Sequence, residues 1–162
     1  MCCVVLCSCA AGCGKDPGNT QASSTDSKTS LLEPLEGQIQ FVEGFRRGWE
    51  VAHSQGKPIL ILFTAHWCNY CHAMAREAFC EPSVVNLAQE FTCVLVDADA
   101  EPEVCRQFRV RGYPTIQFLS PRGLPLNRLT GKQPPVQLVN EMQAALQAVA
   151  RRVDEPATPR RL

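Results

Sequence analysis

Apolar positions change their period several times between Leu31 and Arg152, and each change predicts an element. "IQFV", Ile39 to Val42, alternates apolar and polar residues before Gly44, the pattern of a short edge strand. "FRRGWEVAHSQ" then sets Phe45, Trp49 and Ala52 at helical spacing, and Gly56 with Pro58 supplies its stop. "ILILF" is apolar throughout, so both faces of this strand are buried and it belongs at the centre of a sheet, beside parallel neighbours. After Cys68 the helical period returns through "CHAMAREAFC", with Met74, Ala75, Ala78 and Phe79 as its stripe and Pro82 as a bend. A second helical stretch covers Ser83 to Gln89. "FTCVLVDAD" reads as a strand, "EPEVCRQF" as a short helix with Pro102 early in it, and "YPTIQFL" as a strand opening on a proline. "SPRG" makes a turn, "LPLNRLTG" an edge strand that tolerates Pro125, and Val136, Leu138, Val139, Met142, Leu146 and Val149 the stripe of a last helix. Parallel crossovers come first, then an antiparallel hairpin under a final helix. This is an α/β domain with a mixed central sheet flanked by helices.

Composition adds appendages to that domain. The 162 residues, 45% hydrophobic, fit one globular unit over 38–151. Sixteen Lys and Arg balance 16 Asp and Glu along the chain, which argues against nucleic acid as a partner. Residues 152–162 hold two prolines among their arginines and read as a disordered tail. Ten cysteines fall into two groups, and five of them crowd the first 13 residues. "MCCVVLCSCAAGC" is too short to span a bilayer, but "AAGC" ending at Cys13 resembles the bacterial lipoprotein signal, with "LCSC" at Cys9 as its rival. A lipidated Cys13 implies anchoring in the cell envelope or periplasm, the membrane being touched only through the lipid. Residues 14–37 have the polar, Ser/Thr/Gly-rich composition of a flexible linker. A cysteine-rich metal-binding terminus is the bland alternative for the first segment.

"HWCNYCHAM", His66 to Met74, carries the candidate chemistry. The spacing of Cys68 and Cys71 serves a redox pair, a zinc half-site or, with His72, c-type haem attachment. Zinc finds no second C-x-x-C at finger-like spacing, and haem needs a distal ligand that the surrounding strands do not suit.

"FTAHWCNYC", followed 46 residues after Cys68 by Pro114 in "VRGYPT", resembles the thioredoxin-fold proteins, whose signatures are W-C-x-x-C and a cis-proline. More narrowly, "HWCNYCHAMAREAF" with "PSVVNLAQEFTCVLVDAD" is similar to bacterial thioredoxin-like proteins that include the C-terminal domain of thiol:disulfide interchange protein D. The resemblance implies a thiol–disulfide oxidoreductase that needs no cofactor or metal, works as a monomer, and exchanges disulfides with protein substrates and a redox partner protein. Cys68, where a strand meets a helix N-terminus, is the expected attacking thiolate, and Cys71 the resolving thiol. Trp67 is expected to shield the site, and Tyr113 and Pro114, joined by a cis bond, to bind substrate backbone. His66, Tyr70 and His72 are placed to tune the thiols or move protons. Leu62 is a departure, since many thioredoxins bury an Asp there to assist the resolving thiol. That leaves a binding or chaperone module with little turnover as the second reading. Cys80, Cys93 and Cys105 read as small core residues, with pairing between two of them left open.

Overall fold

The computed structural model describes residues 38–154. The expected signal segment with Cys9 and Cys13, the linker up to residue 37, and the tail beyond residue 154 lie outside the described residues.

Five strands form one sheet: β1 (Val42–Glu43), β2 (Ile59–Thr64), β3 (Thr92–Asp97), β4 (Thr115–Leu119) and β5 (Pro125–Thr130). Their spatial order is β1-β3-β2-β4-β5. The helices are α1 (Phe45–Gln55), α2 (Asn69–Glu77), α3 (Pro82–Ala88), α4 (Pro102–Gln107) and α5 (Pro135–Asp154), with a 3₁₀ turn at Ala78–Cys80 after α2. Thus α5 runs past residue 151, where the domain was expected to end.

As its unbroken apolar run requires, β2 is central and buried at every position. It pairs parallel with β3 and antiparallel with β4, which in turn pairs antiparallel with β5. Its side chains alternate between two cores. Leu60 and Leu62 join Met74, Phe79, Val84, Leu138 and Met142 under α2, α3 and α5. Ile59, Ile61 and Phe63 join Ala52 and Cys105 under α1 and α4.

The first strand departs from the sequence pattern. Only Val42 and Glu43 pair with β3, whereas Ile39 is buried in the first core and the Gln38 N–H donates to the Phe79 carbonyl at 3.0 Å. Burial of Ile39 against the α2–α3 side thus replaces strand pairing. Helix α1 begins at Gly44, which offers no side-chain cap, and the Glu101 carboxylate accepts the Phe45 N–H instead at 3.1 Å. It ends as read, on Gly56 in the left-handed conformation.

Candidate active site

Strand β2 delivers the chain to the edge of the sheet, where a turn closed by the Cys68 N–H on the Ala65 carbonyl, 3.0 Å, feeds into α2. Cys68 is the N-cap of α2, and its Sγ accepts the Cys71 N–H at 3.1 Å. The two sulfurs form a disulfide, S–S 2.11 Å, across 5.3 Å between Cα atoms. The Cys71 N–H, shared with the Cys68 carbonyl at 3.0 Å, and the positive end of the helix therefore point at Cys68 Sγ, where they favour a thiolate over a thiol. Cys71 lies deeper, 2% exposed, in the apolar core that also contains Leu62.

A rim of polar and aromatic groups surrounds the pair. Asp99 ties two of them down: its Oδ2 lies 2.9 Å from His66 Nδ1, and its Oδ1 accepts the Trp67 indole N–H at 3.4 Å. The Asp99 N–H in turn donates to Asp97 Oδ1 at 2.9 Å. The Trp67 ring meets Tyr113 edge-on, centroids 5.8 Å apart, and the Tyr113–Pro114 bond is cis. Pro114 is held from behind by the Gly131 N–H on its carbonyl at 2.7 Å. Trp67, next to Cys68 in the chain, thus packs on Tyr113, which the cis bond joins to Pro114. Tyr70 stands on the exposed first turn of α2. His72 Nε2 bonds the His66 carbonyl at 2.8 Å, which occupies the ring nitrogen that haem iron would require.

Asp99 has no signal in a one-dimensional reading, because an acidic residue after a strand looks like a solvated loop. Its position follows from sheet register. Ile59 pairs with Thr92 and Thr64 with Asp97, an offset of 33 that also separates His66 from Asp99 just beyond the strand ends.

The other cysteines among the described residues, Cys80, Cys93 and Cys105, are free. Cys93 is buried, and burial pushes its thiol up to about 12. Cys105 is likewise buried and raised, and its Sγ shares a hydrogen bond with Tyr113, whose hydroxyl burial pushes up to about 12. Cys80 is half-buried rather than core, with its Sγ–H donating to the Ala75 carbonyl. A cleft of about 580 Å³ lies elsewhere, lined by Ile39, Phe41, Val85 and Lys57 among others, and none of the rim residues borders it.

The thioredoxin-like domain family matches residues 45–146. The chain belongs to that family. Thioredoxin-like protein slr0233 of Synechocystis sp. is 32% identical over 94 residues, 58% of this chain and 87% of that protein. Thioredoxin of Alicyclobacillus acidocaldarius is 36% identical, covering 56% of this chain and 84% of its own. Protein disulfide-isomerase of Gallus gallus is 37% identical over 54% of this chain, and the match spans 17% of its length. The thioredoxin of Thermus thermophilus shares the fold at a TM-score of 0.64 and 23% identity, covering 71% of this chain and 94% of that one. The DsbH oxidoreductase does so at 0.59 and 20%, covering 83% and 95%. A thioredoxin-like domain with a C-x-x-C pair at disulfide distance supports thiol oxidoreductase chemistry.

Proposed function

We propose that this protein exchanges disulfides with protein substrates, with Cys68 attacking and Cys71 resolving. The observation that carries the reading is the Cys71 N–H directed at Cys68 Sγ at the start of α2, which stabilises negative charge on that sulfur alone. The Cys68 thiolate opens a substrate disulfide and forms a mixed disulfide, releasing one substrate thiol. Cys71 then attacks Cys68 Sγ, releases the second substrate thiol and leaves Cys68–Cys71 oxidised. Run backwards, the same steps deliver a disulfide to a dithiol.

Trp67, 58% exposed, and Tyr70, 67% exposed, flank the pair and suit the side chains of a protein segment rather than a small enclosed ligand. The backbone of Tyr113 accepts that segment as an added strand. The sequence of residues 1–13 supports a setting in the bacterial cell envelope, with Cys13 lipidated and residues 14–37 as tether.

The test is trapping. A Cys71→Ser chain is expected to accumulate mixed disulfides through Cys68 that a reductant releases, while Cys68→Ser yields none. Leu62 favours a second reading, a binding module with little turnover, because it leaves the buried Cys71 among apolar neighbours with no carboxylate to take its proton. No adducts from Cys71→Ser under oxidising conditions would favour that module.

A further inference from the structure

Glu77 is the last residue of α2, where the negative end of the helix disfavours a carboxylate. Its partner is distant in the chain. Lys132 Nζ donates to Oε1 at 2.8 Å and lies 2.6 Å from Oε2, so one ammonium spans both oxygens across 55 residues. The side chains are 35% accessible at Lys132 and 56% at Glu77, and a pair this exposed adds little to stability. What it joins matters more. Lys132 follows Gly131, whose N–H holds the Pro114 carbonyl at 2.7 Å. Gly131 has a φ of 80°, and a Cβ there would meet nothing within 4 Å, so the backbone turn and not close packing calls for glycine. The Gln133 side chain clamps the same turn, donating to the Thr130 carbonyl at 2.9 Å and to the Gly131 carbonyl at 3.2 Å. These contacts close a ring. Helix α2 runs from its N-cap Cys68 to Glu77, Glu77 holds Lys132, and Gly131 holds Pro114. The cis bond continues to Tyr113, which packs on Trp67, the neighbour of Cys68. Within the ring the Thr115 hydroxyl, donating to the Gly112 carbonyl at 2.7 Å, fixes the turn of the proline loop itself. Without the ion pair the ring is open at the end of α2 away from Cys68.

We infer that Glu77 and Lys132 are positioning residues that set the distance between α2 and the proline loop, so that a segment paired with Tyr113 brings its disulfide to Cys68. The inference rests on the proposed pairing at Tyr113 and on the proposed attack by Cys68. Both residues act through others, Lys132 through Gly131 and Pro114 and Glu77 through α2. They therefore bear on where a protein substrate lies and not on the reactivity of either thiol. A small disulfide has no backbone to pair and is insensitive to the loop.

That difference separates this role from a structural one. The experiment measures kcat/KM of the reduced full chain with a peptide disulfide of no net charge, alongside its rate with a small dialkyl disulfide. Reversing one charge, by Glu77→Lys or by Lys132→Glu, replaces attraction with repulsion. Each reversal is expected to lower the ratio of peptide rate to small-disulfide rate about threefold, the scale of one exposed ion pair. Lys132→Met keeps the stem and removes the charge, and it should lower the ratio less, which serves the test should a reversal not fold. The double variant Glu77→Lys with Lys132→Glu rebuilds the pair with its charges exchanged, and its ratio is expected to return to within about twofold of the unaltered chain. Variants that leave the ratio unchanged, or a double variant no better than the worse single one, overturn the inference. If the unaltered chain opens the small disulfide but not the peptide, the pairing at Tyr113 falls and the inference with it. If it opens neither, attack by Cys68 falls as well.

Discussion

In the proposed exchange, position 62 bears on how Cys71 is relieved of its proton. An Asp there would be buried in the apolar core shared with Cys68 and Cys71, where desolvation raises a carboxyl pKa and makes it a base close to neutral pH. Leu62→Asp is expected to lower stability by about 3 kcal/mol, the cost of an uncompensated buried carboxylate. It should also speed release of a Cys68 mixed disulfide severalfold. Stopped-flow release rates and urea denaturation measure the two effects, and release that is unchanged or slower would count against a proton-limited Cys71. At this scale the cysteine pair was visible as a spacing, while its redox reading and the interest of Leu62 came from the resemblance to thioredoxin-fold proteins. Asp99 was not, because its partners lie 32 and 33 residues earlier and meet it only through the β2–β3 register.

Most elements were legible from periodicity, and the exceptions share a cause. α1 follows the sequence pattern because its stripe and Gly56 both act locally, whereas β1 shrinks because Ile39 gains more from the core than from pairing. Such tertiary demands also explain Gly48 in the middle of α1. A Cβ there would fall 2.9 Å from Val94 Cβ and closer still to its methyl groups, so the helix lies against β3 at a distance only glycine permits. Gly48→Ala would gain about 1 kcal/mol of helix propensity and lose roughly 1–3 kcal/mol to overpacking. The expected outcome is net destabilisation in urea denaturation; a more stable variant would mean that α1 can shift away from the sheet without cost.

The domain as a whole was legible in its order of elements, since a run apolar on both faces has to be central and a final hairpin has to add antiparallel strands. Which strand completes β2 on its second edge was not, because β4 lies far along the chain and no local pattern states the pairing. The proposed anchoring also belongs to this scale. Cys13→Ser is expected to move the protein from the membrane fraction to the soluble fraction in bacterial cells, whereas Cys9→Ser leaves it bound; fractionation that is unaffected by Cys13→Ser would remove Cys13 as the lipid site. The placement of β2 has a consequence for biosynthesis. Both of its hydrogen-bonding neighbours follow it, at residues 92–97 and 115–119, so "ILILFT" and the cysteines after it leave the ribosome with neither edge of the strand occupied. Until residue 119 is available, the most apolar stretch of the sheet and two unpaired thiols are exposed together. An unpaired apolar strand and two free thiols therefore coincide in the nascent chain for as long as residues 92–119 remain to be made.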